Sequence, residues 1–89
     1  MDPIKKKIIA GAAIIDVRTP EEYADGYFHN ARNIPVNSLL ARLDEIGPKD
    51  RPVIVYCASG GRSAVAQAML KANGFADVTN AGGLGDMPQ

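Results

Sequence analysis

The chain has 89 residues, of which 46% are hydrophobic, and a formal net charge of zero. This length predicts one domain with a modest core. The balanced charge excludes broad electrostatic capture of nucleic acid or of an anionic membrane surface.

The first fifteen residues, MDPIKKKIIAGAAII, place three lysines before an apolar stretch. That pattern is reminiscent of a signal peptide, but the stretch continues into DVRTPEE without a small-x-small cleavage site. It is also far shorter than the ~20 residues that span a bilayer. We therefore predict a short amphipathic lead-in and no membrane span. The compartment stays open: the chain as given favours the cytoplasm, and a periplasmic location would fit a leader already removed.

Short strands and helices alternate in the first half of the chain. Residues 13–17 (AIIDV) predict a strand, and residues 19–22 (TPEE) form a capping-box sequence at the start of a helix. Residues 33–36 (NIPV) predict a brief strand or an extended link. Residues 36–46 carry apolar side chains at helical spacing and are followed by Gly-Pro at 47–48, which predicts a second helix.

The second half repeats the alternation. Residues 52–57 (PVIVYC) are nearly all apolar and β-branched, which predicts a strand buried on both faces of a parallel sheet. Residues 62–73 have one apolar face and predict a helix capped by Gly74, and residues 77–80 (DVTN) predict a last short strand. This order of elements predicts an α/β fold with an open sheet and right-handed crossovers.

The only cysteine, Cys57, ends the most apolar predicted strand and precedes two glycines in the sequence VYCASGGRS. In open parallel sheets, ligands bind beyond the carboxyl ends of the strands. Small residues after Cys57 let several backbone N–H groups turn inward as an anion-binding nest, and Arg62 and the next helix N-terminus add positive charge. These effects stabilise a thiolate, so Cys57 is interpreted as a nucleophile rather than as a small core residue.

The length of the loop after Cys57 restricts its cargo. Four residues separate Cys57 from Arg62, whereas the protein tyrosine phosphatases have five between the corresponding residues. The tighter loop predicts a cargo smaller than a phosphoryl group, such as a single sulfur atom carried as a persulfide.

Three motifs in order resemble the rhodanese family of sulfurtransferases, and the likeness covers nearly the whole chain. They are DVR at 16–18 with the EY, G, A and NIP that follow up to residue 35, VYCASGGRS at 55–63, and NAGGL at 80–84. The chain is similar in size to the small single-domain bacterial rhodaneses, including the phage-shock type. The resemblance implies a mostly parallel sheet of four to five short strands with helices on both faces. It also implies that the domain, residues 1–89, is shortened at both ends, with the usual first strand absent or reduced.

The resemblance further implies a thiosulfate sulfurtransferase. In that reaction Cys57 takes sulfur from thiosulfate or another persulfide donor, and then passes it to cyanide or a thiol. The substrate-binding residues implied are Ala58, Ser59, Gly60, Gly61, Arg62 and Ser63. Their backbone N–H groups stabilise the anion, the Ser59 and Ser63 hydroxyls are candidate donors to the sulfur, and no metal or organic cofactor is needed. The expected partners are the small anionic donor and the acceptor, with no nucleic acid, and a monomer is favoured.

Two other function classes stay open. The domain could be a sulfur carrier loaded by the persulfide of another protein, since Ala58 stands where some relatives place a basic or polar side chain and thiosulfate recruitment would then be weak. A phosphatase or arsenate reductase is disfavoured by the short loop. His29 is interpreted as a loop residue rather than as a catalytic base, and Arg18 is expected to have a structural role by pairing with Glu22.

Overall fold

The structure is a computed structural model that describes residues 1–89. Four parallel strands form one sheet in the order β2-β1-β3-β4. The strands are β1 (Ala13–Asp16), β2 (Arg32–Asn33), β3 (Val53–Cys57) and β4 (Val78–Gly83). The helices are α1 (Pro3–Ile9), α2 (Pro20–Ala24) and α3 (Gly61–Ala72), together with 3₁₀ helices at Val36–Glu45 and Leu84–Asp86. The predicted α/β fold with a parallel sheet is confirmed.

Apolar side chains cover both faces of the sheet. All five residues of β3 are buried, as the continuous apolar run predicts. On one face, Val53 and Val55 pack in a cluster with Leu70 of α3 and Leu39 of the first 3₁₀ helix. On the other face, side chains of β1 and β3 pack with α1, α2 and the C-terminal segment; this cluster includes Ile4, Ile8, Ile14, Tyr23, Ile54, Tyr56 and Met87. The helices therefore lie on both faces of the sheet.

The local signals at the helix ends are present in the structure. The Thr19 hydroxyl accepts a hydrogen bond from the Glu22 amide at 3.2 Å, and the Glu22 carboxylate accepts one from the Thr19 amide at 3.1 Å. This reciprocal pair is the capping box that the sequence predicts. Gly74 follows Asn73, the C-cap of α3, and has φ +93°, and Phe75 is buried beside it; these are the predicted left-handed cap and its apolar partner.

The second predicted helix differs in detail from the expectation. It is a 3₁₀ helix, and it is irregular at Arg42, which has φ −126° and ψ 26°. Pro35 precedes this helix and supplies no capping side chain.

The amphipathic lead-in forms α1, whose first amides at Ile4 and Lys5 donate to the Asp2 carboxylate. None of the helices has the length and apolar character that crossing a membrane would require.

The carboxyl ends of the central strands meet at one edge of the sheet. Asp16 ends β1 and Cys57 ends β3. Between β3 and β4 the register shifts, so that Val55 pairs with Asn80 and Cys57 pairs with Gly83. The extra residue in β4 is a β-bulge, and it brings the Gly82-Gly83 backbone beside the segment that follows Cys57.

Candidate active site

The segment after Cys57 folds back over the cysteine sulfur. Gly60, the N-cap of α3, has φ +103°, a backbone conformation that glycine adopts without the steric cost of a Cβ. In this conformation its N–H donates to Cys57 Sγ at 3.1 Å. Cys57 itself is 1% exposed, whereas Ala58 and Ser59 are exposed. We call residues 57–63 the cysteine loop.

The cysteine loop favours the ionised form of Cys57. Burial is the largest single influence and raises the pKa of the Cys57 thiol. Hydrogen bonds from the Ser63 hydroxyl and from the amides of Ser63, Ser59 and Gly60 together outweigh it and lower the pKa to about 6. At neutral pH the sulfur is therefore mainly a thiolate, the form that acts as a nucleophile. Ser59 contributes through its amide and Ser63 through both its amide and its hydroxyl.

The Ser63 hydroxyl has one proton and more than one acceptor for it. Ser63 Oγ lies 2.7 Å from Asn80 Oδ1 and 3.3 Å from Cys57 Sγ. When Cys57 is a thiol, its S–H can donate to Ser63 Oγ while the hydroxyl donates to Asn80. When Cys57 is a thiolate, the hydroxyl must turn to the sulfur. Asn80 Oδ1 keeps a donor in that state, because it also accepts the Gly82 amide at 2.9 Å.

Asn80 also holds the cysteine loop in place. Its Nδ2 donates to the carbonyl oxygen of Gly60 at 3.2 Å, so that one side chain contacts both Gly60 and Ser63. Asn80 is not among the candidate site residues chosen from the sequence. Its place at the start of the NAGGL motif is the signal that could have identified it.

Arg62 points to a carboxylate rather than to an open site. Its Nη1 and Nη2 donate to Glu22 Oε1 at 2.6 Å and to Glu22 Oε2 at 3.0 Å. These hydrogen bonds, with those from Thr19, lower the pKa of Glu22 to about 2. The Cys57 sulfur is also close enough to raise the pKa of Arg62, although Glu22 has the largest effect. The predicted pairing of Glu22 with Arg18 is wrong, because α2 directs Glu22 towards the cysteine loop.

Arg18 belongs to a buried polar network at the end of β1. Its Nη2 donates to Asp16 Oδ2 at 2.7 Å and to the carbonyl oxygen of Gly26 at 2.7 Å. The Tyr56 hydroxyl donates to Asp16 Oδ2 at 2.7 Å and accepts the Phe28 amide at 3.0 Å. This network ties the turn after β1 and the loop after α2 to β3, so the role of Arg18 is structural, as expected, although its partner differs.

His29 is exposed in the loop between α2 and β2. It borders an open cavity of about 760 Å³ together with Tyr23, Tyr27 and Arg32, and the cysteine loop does not contribute to that cavity. The Cys57 sulfur has no imidazole among its hydrogen-bond partners. The arrangement around Cys57 can thus stabilise a sulfur anion with hydroxyl and amide donors alone.

Comparisons with protein families and with individual proteins point to the same family. The family model described as "Rhodanese-like domain" matches residues 2–84. The chain is 43% identical over 67 residues to a sulfurtransferase of Allochromatium vinosum, an alignment that covers 75% of this chain and 62% of that protein. It is 38% identical over 81 residues to the thiosulfate sulfurtransferase PspE of Escherichia coli K12, covering 90% of this chain and 78% of that protein.

A solved structure titled "rhodanese with anions from E. coli" superimposes with a TM-score of 0.84 at 36% identity, covering 89% of this chain and 94% of that one. The chain also matches a tRNA uridine(34) hydroxylase of Buchnera aphidicola at 38% identity over 72 residues. That alignment covers 75% of this chain and only 23% of the hydroxylase, so the likeness is to one segment of a much longer protein.

Proposed function

The chain belongs to the rhodanese-like family, and we propose that it is a sulfurtransferase that carries sulfane sulfur on Cys57. The donor is thiosulfate or another persulfide, and the acceptor is cyanide or a thiol. The proposed substrate class is that of the sulfurtransferases that the chain resembles. Cys57 is assigned as the nucleophile because it is the only cysteine in the chain and its surroundings favour a thiolate.

The proposed reaction has two balanced steps. The Cys57 thiolate attacks the outer sulfur of thiosulfate, the sulfur–sulfur bond of the donor breaks, and sulfite leaves with the bonding electron pair. The product is a Cys57 persulfide anion. Cyanide then attacks the outer sulfur of the persulfide, and the Cys57 thiolate is released as thiocyanate forms. Neither step requires a proton, so a general base such as His29 has no part in the scheme.

The observation that carries the proposal is the set of donors around the sulfur. Gly60 N–H lies 3.1 Å from Cys57 Sγ, and the lowered pKa, about 6, keeps the sulfur ionised at neutral pH. A persulfide is also an anion, so the same donors would stabilise the intermediate. In the intermediate, the backbone N–H groups of residues 58–63 would contact the outer sulfur. Cys57 is only 1% exposed, so the exposed Ala58 and Ser59 would have to shift to let the donor reach the sulfur.

Intact-mass measurement tests the proposal directly. After incubation with thiosulfate, the protein should gain the mass of one sulfur atom, and addition of cyanide should remove it. The matched control is Cys57→Ser, which replaces the nucleophile with a residue of similar size. A mass gain that persists in Cys57→Ser, or no gain in the wild-type protein with any sulfane donor, would contradict the proposal.

A sulfur carrier loaded by another protein is the second candidate function. Two observations favour it: Ala58 places no charge beside Cys57, and the Arg62 guanidinium is engaged by Glu22. Sulfur uptake that is fast from a protein persulfide and slow from thiosulfate would distinguish a carrier from a thiosulfate enzyme. Hydrolysis of a generic aryl phosphate would instead point to phosphatase activity, which the four-residue spacing between Cys57 and Arg62 disfavours.

A further inference from the structure

Arg62 is the only cation in the cysteine loop, and its charge is neutralised by Glu22. The other basic residues towards this edge of the sheet are also paired: Arg18 with buried Asp16, and both Arg32 and Arg42 with Glu45. Lys49 and Arg51 precede β3, and Lys71 lies in the last turn of α3, which places all three towards the opposite edge of the parallel sheet. The mouth of the proposed sulfur site therefore lacks an uncompensated positive side chain.

Glu22 is held in the position that neutralises Arg62. Its Oε1 accepts hydrogen bonds from the Thr19 amide and hydroxyl at 3.1 and 3.2 Å as well as from Arg62 at 2.6 Å. The capping box thus fixes the carboxylate at the start of α2. The helix is itself held to the rest of the domain by Tyr23, whose hydroxyl donates to the Ala31 carbonyl oxygen at 2.6 Å. A mobile surface ion pair has a small interaction energy, but the Glu22 carboxylate is held by several hydrogen-bond donors that restrict its position.

The pair is partly open to solvent. The side chains of Arg62 and Glu22 are 37% and 34% exposed. An anionic donor that approaches the cysteine loop would therefore meet both charges, and the attraction from Arg62 would be offset by repulsion from Glu22. A donor with two negative charges is affected more strongly than a donor with one.

We propose that Glu22 is a specificity-determining residue: by pairing with Arg62, it lowers the preference of the Cys57 site for doubly charged donors such as thiosulfate. The inference rests on the proposed sulfur transfer at Cys57 and names the class of donor that the site selects. Donors of low charge, including persulfides of thiols, are repelled less by Glu22 at the entrance to the Cys57 site than thiosulfate is. Glu22 acts by offsetting the charge of Arg62 and makes no hydrogen bond to the Cys57 sulfur.

Glu22→Gln is the variant that tests this inference. Glutamine also serves at the third position of a capping box, so α2 keeps its N-terminal cap. The matched control is Glu21→Gln, which removes the neighbouring carboxylate on the same helix; Glu21 is exposed and its side chain makes no hydrogen bond. Both variants change the net charge equally, so any difference between them reports position rather than total charge.

The readout is the rate of single-turnover sulfur loading at pH 8, followed by intact mass, with two donors. Thiosulfate has two negative charges and methanethiosulfonate has one; the latter transfers its outer sulfur and releases methanesulfinate with the electron pair. The same Cys57 thiolate attacks both donors, so the ratio of the two rates does not depend on how fully the thiol is ionised. A general loosening of the loop would slow both reactions together and leave the ratio unchanged.

We expect the thiosulfate-to-methanethiosulfonate ratio to rise about threefold to tenfold in Glu22→Gln, and the rise to shrink as salt screens the charges. Glu21→Gln should retain the wild-type ratio. Arg62→Gln provides an opposite prediction, because it leaves Glu22 unpaired and should lower the ratio. An unchanged or lower ratio in Glu22→Gln, with sulfur loading intact, would overturn the proposed role of Glu22 in donor specificity and leave the proposed sulfur transfer standing. Absence of loading in every protein with both donors would overturn the proposed sulfur transfer and this inference with it.

Discussion

The backbone of Gly83 lies against the carbonyl group of Ala58 so closely that position 83 has no space for a Cβ. Gly83 pairs with Cys57 across the β-bulge of β4, so this contact occurs directly beside the candidate nucleophile. The close approach explains why a glycine stands at this point of a strand, where it otherwise weakens the sheet. It also means that the shape of the cysteine loop depends on β4.

Replacement of Gly83 by alanine should displace the cysteine loop. The added methyl group would overlap the Ala58 carbonyl, and backbone atoms cannot move aside as a flexible side chain can. We expect the free energy of unfolding to fall by about 1–3 kcal/mol, as in other overpacked sites, and sulfur loading to slow. Urea denaturation measures the first effect. Gly85→Ala is the control, because a Cβ there would meet no atom within 4 Å; equal stability of the two variants would refute the argument.

The ionisation of Cys57 should be visible in its alkylation by iodoacetamide. Because the pKa of Cys57 is lowered to about 6, the alkylation rate should be nearly constant above pH 7. Below pH 6 it should fall roughly tenfold per pH unit, as the reactive thiolate takes up a proton. An unperturbed cysteine would show a midpoint of about 8.5. A rate that continues to rise from pH 7 to pH 9 would contradict the lowered pKa.

The Ser63 hydroxyl should account for part of this shift. Ser63→Ala removes a donor to the sulfur and leaves the backbone amide at position 63 in place. The alkylation midpoint should therefore rise by about one pH unit. Ser59→Ala is the control, since the Ser59 side chain has no hydrogen bond to Cys57 and only its amide lowers the pKa. A rise of the same size in both variants would argue against a specific role of the Ser63 hydroxyl.

Features that depend on neighbours in the sequence could be predicted from it. The capping box at Thr19 and the left-handed glycine at 74 are specified by a few adjacent residues, and the structure contains both. The burial of β3 on both faces follows from its continuous apolar composition. Motif order alone was sufficient to identify the family that the comparisons show.

Features that depend on packing could not be predicted in the same way. Glu22 and Arg62 are 40 residues apart, and their pairing follows only when α2 is placed against the cysteine loop. Periodicity did not distinguish an α-helix from the 3₁₀ helix at Val36–Glu45, because apolar residues three and four apart fit both helix types over so short a segment. The competition between Asn80 and Cys57 for the Ser63 proton requires distances between atoms.

Tyr56→Phe should destabilise the fold without changing the sulfur chemistry. The variant leaves the part-buried Phe28 amide without its acceptor and removes one of the donors to the buried Asp16 carboxylate. An unsatisfied donor costs about 1–3 kcal/mol when it is fully buried, so the urea midpoint should fall by an amount towards the lower end of that range, while the alkylation midpoint of Cys57 stays at its wild-type value. Tyr27→Phe, which removes a hydroxyl from a residue that is 52% exposed, should change the free energy of unfolding by less than ~0.5 kcal/mol. Equal losses in the two variants would show that the buried network is not the cause.

Asn80→Asp should raise the pKa of Cys57. An ionised aspartate cannot donate to the Gly60 carbonyl, so the bond that holds the cysteine loop is replaced by a repulsion. Its carboxylate would also retain the Ser63 proton more strongly than the amide oxygen does, and its negative charge would disfavour a second anion nearby. The alkylation midpoint should therefore move upward by at least ~1 pH unit, and sulfur loading at pH 7 should slow. Asn73→Asp adds the same charge at the end of α3 remote from Cys57, where the asparagine donates to the Met69 carbonyl, and should leave the midpoint unchanged. A midpoint that stays near 6 in Asn80→Asp would mean that Asn80 does not control the proton of Ser63.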